Sequence, residues 1–362
     1  VKENILIDTG LAPSSGGRRA ATYSLRHDVF FIVSVALDQY VARIAVMDMR
    51  NQFVTPVENF ELRLQDNSEA LPVLTKHIQH VIRKSGIDKK NILGIGIGMP
   101  GFVDVKKGVN YSYFKTENES FTAHLAGKTG LPVYIDNDSS VIALAELRFG
   151  LAKKKKNAMV INVGWGIGLG LILDGDIYRG HNGFAGEFSH IPLFLNGKLC
   201  SCGKRGCLET ETSLLVIVEK ARQALKNGRL SMLKSEDLDS VEHAWEVLGN
   251  AALQGDEFVV ELFSGIGYNI GKGVAILIHL LNPQTIILSG RGSSAGKIWQ
   301  PPIQHALNAH CIPRLAAGTT IEISRLGYRA ELIGAAALVM DNFGKEVEVE
   351  SVEEMLPGIH NN

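Results

Sequence analysis

The chain has 362 residues, 45% of them hydrophobic and 21% charged, with a formal net charge of −1. Such a make-up belongs to globular proteins of two or three domains that bury a large core without disulfides. Near-neutral charge excludes a nucleic-acid or membrane partner selected by bulk electrostatics.

The chain opens on Val1 rather than Met, and a preceding N-terminal piece is expected. Residues 3–8 and 21–25 flank a turn-rich loop that ends in Arg18 and Arg19, which reads as a small hairpin with a basic tip. Strands are predicted over 30–37, 41–47 and 52–57, a three-strand meander. A helix follows over 68–85, with Leu71, Leu74, Ile78, Val81 and Ile82 at helical spacing. A buried strand over 92–97 ends at Met99-Pro100-Gly101. A helix over 120–129, a short strand over 133–135 and a helix over 141–149 complete the first half.

The pattern then restarts. Strands over 158–163 and 168–173 enclose Gly164-Trp165-Gly166, and Asp174-Gly175-Asp176 turns into Ile177-Tyr178. Strand, turn and strand thus recur after about 130 residues, the mark of an internal duplication. Two α/β lobes facing a cleft are expected, with the boundary at residues 150–157. The lysine run Lys153–Lys156 there reads as a solvated linker face. Helices are predicted over 214–227, 240–253 and 256–281, the last capped by Asp256 and stopped by Asn282-Pro283. Its apolar stretch over 273–281 is too short to span a bilayer. Strands over 285–288 and 321–324 and helices over 303–309 and 332–340 follow, and then an acidic tail.

The densest chemical signal is His190 with Cys200, Cys202 and Cys207. One imidazole and three thiolates form a closed tetrahedral set, the structural type of zinc site with no position left for water. Thiols this close read as metal ligands in a reducing compartment, hence a cytoplasmic chain. Cys311 stands alone and reads as core. Glu187 lies three residues before His190 and Glu209 two after Cys207, so a bound metal would hold several polar groups in one place. Pyranose recognition needs such rigid partners. Asn137-Asp138, between a strand and a helix, reads either as a helix cap or as a carboxylate that accepts a hydroxyl proton.

These residues resemble the ROK family (repressors, open reading frames and kinases). The resemblance is carried by Gly98-Met99-Pro100-Gly101, Gly130-Leu131-Pro132-Val133 with Asn137-Asp138, Gly166-Ile167-Gly168, Gly183-Phe184-Ala185-Gly186-Glu187 through His190, the cysteine loop with Glu209, and Gly334-Ala335-Ala336. It implies an α/β fold of two actin-like, ribonuclease H-like lobes around a cleft. The expected layout is a winged-helix wing remnant over 1–26, a first lobe over 27–150 and a second over 151–331 carrying the zinc loop. The helix near 332–341 is expected to pack back on the first lobe. The resemblance further implies that Gly101, Asn137, Asp138, Glu187, His190 and Glu209 contact a sugar. Asp138 would be the base if the chain were a kinase. His190 would use one ring nitrogen for zinc and the other for sugar.

Family kinases hold ATP on a first-hairpin turn of the type Asp-x-Gly-Gly-Thr. Here that stretch is Ala36-Leu37-Asp38-Gln39-Tyr40, and Trp165 replaces the small Thr of the second turn. ATP and magnesium are therefore not expected, because phosphoryl transfer depends on intact phosphate-holding loops. The implied function is a sugar-responsive repressor, a homodimer or homotetramer. It would reach operator DNA through a helix-turn-helix preceding Val1, with Arg18 and Arg19 on its wing. The competing implication is an ATP-dependent hexose or N-acetylhexosamine kinase.

Overall fold

The computed structural model describes residues 6–12, 19–114, 116 and 119–343. In chain order the elements are β1 (Leu6–Leu11), β2 (Ala21–Leu25), β3 (Phe31–Leu37), β4 (Val41–Asp48), β5 (Glu58–Glu61), α1 (Ala70–Ser85), β6 (Ile92–Met99), β7 (Val103–Asp104), β8 (Val109–Asn110), α2 (Phe121–Thr129), β9 (Val133–Asn137) and α3 (Asp138–Phe149). There follow β10 (Ala158–Val163), β11 (Ile167–Leu173), β12 (Asp176–Ile177), α4 (Leu214–Lys226), α5 (Val241–Leu253), α6 (Glu257–Leu281), β13 (Thr285–Ser289), α7 (Gln300–His310), α8 (Pro313–Ala316), β14 (Thr320–Ile323) and α9 (Ala330–Asn342). Among the described residues no helix is long and apolar enough to cross a membrane.

The chain gathers into two compact units. One holds the chain through Met99, Val105–Ile135 and the chain from Ala335; the other holds Pro100–Asp104 and Asp136–Gly334. The division therefore comes before α3, whereas the sequence suggested a boundary after it. The unbroken polar run at 153–156 looked like a linker, but it is the turn leading into β10.

The sheet of the first unit has the order β5-β4-β3-β6-β9. β3 pairs antiparallel with β4 and parallel with β6. β6 is buried at every residue. Its glycines leave room for α9: a Cβ on Gly96 would lie 1.9 Å from the Ala335 carbonyl oxygen. The predicted strand over 52–57 does not form. That stretch makes a single bridge, Met47 to Phe53, and the third strand comes later as β5. Pro56 offers no N–H to a ladder, and the Val46 N–H donates instead to the Thr55 hydroxyl at 2.9 Å. β1 and β2 form an antiparallel hairpin. Arg19 precedes β2 and is exposed, while Arg18 and the rest of the expected tip lie outside the described residues.

The sheet of the second unit repeats the order as β12-β11-β10-β13-β14. β10 is antiparallel to β11 and parallel to β13, as β3 is to β4 and β6. The helices follow ordinary capping chemistry. Asp256 accepts the Val259 N–H at 3.0 Å to start α6, and Asn282 ends it in the left-handed region before Pro283. Asn137 caps α3, which begins at Asp138 rather than at 141.

Candidate functional site

Two close approaches place the cysteine loop. Gly273 of α6 leaves no room for a Cβ because Phe188 and Leu208 occupy that space, both with contacts under 3.0 Å. Phe188 begins the turn that carries His190, and Leu208 begins the turn that carries Glu209. The Leu208 N–H donates to the Ile191 carbonyl at 2.9 Å and joins the two turns. Gly206, with φ +75°, lets the loop cross the Phe194 carbonyl, which a Cβ would meet at 1.9 Å.

This framework gathers one ligand atom each from His190, Cys200, Cys202 and Cys207 within 4.8 Å of one another. His190 Nδ1 lies 3.5 Å from Cys200 Sγ, and Cys202 Sγ lies 3.6 Å from Cys207 Sγ. The cysteines are free, not disulfide-bonded. A tetrahedron with bonds of about 2.0–2.3 Å has edges of roughly 3.5–3.8 Å, so the spacing and the donor set suit a structural metal. Burial pushes the Cys207 thiol up to about 12, and the neighbouring sulfurs add to the rise. The ionised set thus needs a cation to balance it.

The same ring turns its other nitrogen elsewhere. His190 Nε2 lies 3.8 Å from a Glu187 carboxylate oxygen. Burial raises the carboxyls of both Glu187 and Glu209. At Glu187 the His190 ring opposes the rise and Glu209 adds to it; at Glu209 the Ile167 N–H and His190 oppose it. That N–H donates to Glu209 at 3.3 Å.

Asn137 and Asp138 stand at the mouth of α3. Asn137 Oδ1 accepts the Ser139 N–H at 2.9 Å, and its amide donates to the Gly101 carbonyl at 3.2 Å. One Asp138 oxygen accepts the Ser139 N–H at 2.7 Å, and the other accepts the Asn162 amide at 3.2 Å. Asn137 and Asp138 are thus helix-terminal, Asn137 as the cap of α3 and Asp138 as its first residue. All six expected sugar contacts fall in the second unit. Sequence reading missed Asn162, although a polar residue inside the otherwise apolar β10 was a usable signal. It also missed Arg179, which donates to Asp136 just before Asn137.

The turns at 38–40 and 164–166 are engaged by the protein itself. Asp38 turns its carboxylate back onto its own turn. One oxygen accepts the N–H groups of Tyr40 and Val41, each at 2.8 Å, and so takes up turn donors that a phosphate would need. In the second unit the Arg291 guanidinium sits 4.6 Å from the Trp165 ring centroid and 4.0 Å from that of Tyr328. It also bonds Glu242 and the Tyr328 hydroxyl. Trp165 is 4% exposed, with its Nε1 unpartnered.

A family model described as ROK family matches residues 42–342. The xylose repressor of Caldicellulosiruptor bescii is 29% identical over 349 residues, covering 94% of this chain and 86% of the repressor. A glucokinase of Halalkalibacterium halodurans is 36% identical over 255 residues, covering 69% of this chain and 77% of the kinase. The crystal structure of a ROK family transcriptional regulator, a homologue of the Escherichia coli Mlc protein, matches with a TM-score of 0.79 at 24% identity, covering 97% of this chain and 88% of that one. That likeness is one of fold, the actin-like sugar kinase fold.

Proposed function

The chain belongs to the ROK family, and on that premise we propose that it is a sugar-responsive transcriptional regulator. In this reading Gly101, Asn137, Asp138, Glu187, His190 and Glu209 bind a hexose or a hexose derivative. His190, Cys200, Cys202 and Cys207 hold a structural zinc that keeps Glu187, His190 and Glu209 in register. Operator DNA is the macromolecular partner, and the β1–β2 hairpin with Arg19 serves as a wing whose backbone contacts add affinity more than sequence reading. A dimer or tetramer suits a palindromic operator, and the sugar acts by binding two states of that assembly with different affinity.

One observation carries the reading: the groups suited to sugar are all present, while the turn donors suited to phosphate are already engaged by Asp38. The xylose repressor also matches a larger share of the chain than the glucokinase does. A kinase is the second reading. It is favoured by Asp138, a carboxylate at the start of α3 of the type that accepts a hydroxyl proton in general base catalysis.

The deciding experiment titrates hexoses and N-acetylhexosamines into the zinc-loaded chain with Mg-ATP present. The regulator reading expects saturable heat and no ADP. Sustained heat with ADP appearing makes the protein a kinase. No heat from any sugar removes both readings.

A further inference from the structure

Arg179 follows β12, outside every segment that carries a sugar or metal ligand. Its guanidinium donates to one oxygen of Asp136 twice, through Nε at 3.0 Å and Nη2 at 2.6 Å. The other Asp136 oxygen accepts the Asn137 N–H at 2.8 Å. The Arg179 backbone carbonyl accepts the Ala185 N–H at 3.0 Å. Ala185 begins the Ala185-Gly186-Glu187 segment. One residue therefore holds Asn137-Asp138 with its side chain and the Glu187 arm with its backbone.

The carboxylate is deep, with Asp136 3% exposed, while the Arg179 side chain is 31% exposed. A buried ion pair is a poor source of stability, because an apolar pair of similar volume often does as well. Its value lies in geometry. The planar guanidinium fork fixes direction as well as distance, which an ammonium does not. Gly180 completes the arrangement: with φ +72° it turns the chain straight after Arg179, and a Cβ there would stand 3.0 Å from that of Ala185.

We propose that Arg179 is a positioning residue that locks the Asn137-Asp138 end of the site to the Glu187 arm, so that both present their polar groups to one sugar. This rests on the sugar-site reading above, and the test separates the two. Arg179→Met and Arg179→Lys are made in the zinc-loaded chain, together with the double variant Asp136→Asn/Arg179→Met, which leaves no unpaired buried charge if Arg179→Met alone fails to fold. Metal content, amide hydrogen exchange and affinity for the sugars that bind the wild type are measured.

The expected result is unchanged zinc, a joint loss of exchange protection at 136–139 and 183–188, and sugar binding weakened by about 10- to 100-fold, the range seen when outer supporting partners are removed. Arg179→Lys should recover part of the affinity, because it keeps the charge but not the fork. Protection lost on only one of the two segments, or sugar affinity equal to wild type, overturns the proposal. A wild type that binds no sugar defeats the functional reading, whereas the exchange data still decide whether Arg179 joins the two arms.

Discussion

The two sheets share one strand order, yet their opening hairpins close their turns by different means. In the first unit the N–H groups of the turn between β3 and β4 are met from within, while its Gln39 and Tyr40 carbonyls accept the Leu64 and Leu62 N–H groups. Asp38 accepts the N–H groups two and three residues ahead, a local solution for those two donors. In the second unit the turn between β10 and β11 draws on distant residues. Glu209 takes the Ile167 N–H, and Arg291 covers the Trp165 ring. A duplicated scaffold can thus keep its topology while one copy meets turn N–H groups with a carboxylate of the turn itself and the other with a carboxylate far along the chain. The first turn should tolerate change elsewhere, and the second should not.

Metal removal should break the comparison most strongly. Chelation at neutral pH is expected to lower the melting temperature by about 10 °C or more, since binding energy at such a site is folding energy. Hydrogen exchange should rise at 164–168, because Glu209 sits two residues after Cys207, and should stay unchanged at 38–41. Equal deprotection of both turns would remove the distinction. A smaller effect is expected from Arg291→Ala. Loss of a guanidinium packed against two rings and paired with Glu242 should cost about 2–4 kcal/mol in denaturant unfolding. It should also change Trp165 fluorescence, with no change at the first turn. The smallest effect belongs to Asp38→Ala, about 1–2 kcal/mol for two freed N–H groups, with exchange rising at residues 40–41 alone. A response of 164–168 to that change would show that the turns are coupled after all.

This contrast also explains what could be read in advance. The duplication was legible because strand, turn and strand repeat as local patterns. The cysteine cluster was legible because its thiols crowd into residues 200–207 and because thiols have few other uses at that spacing. The expected strand over 52–57 failed because Pro56, which has no N–H for a ladder, outweighed the hydrophobic alternation around it. Asn162, Arg179 and the Arg291 stack were invisible for one shared reason. Each acts on a partner far along the chain, and no local pattern signals that Asp138 lies opposite Asn162 or that Trp165 lies beneath Arg291.

The close passage of Gly96 past Ala335 has a consequence for biosynthesis. β6 is made long before the helix residues that cover its glycines, which follow only after the second unit. The first unit is interrupted by the whole of the second, so it cannot finish its own core cotranslationally. A nascent chain halted before residue 335 would hold the complete cysteine loop in its second unit and an open, glycine-lined sheet face in its first. Quality control acting on stalled chains would therefore meet the first unit exposed and the second already closed.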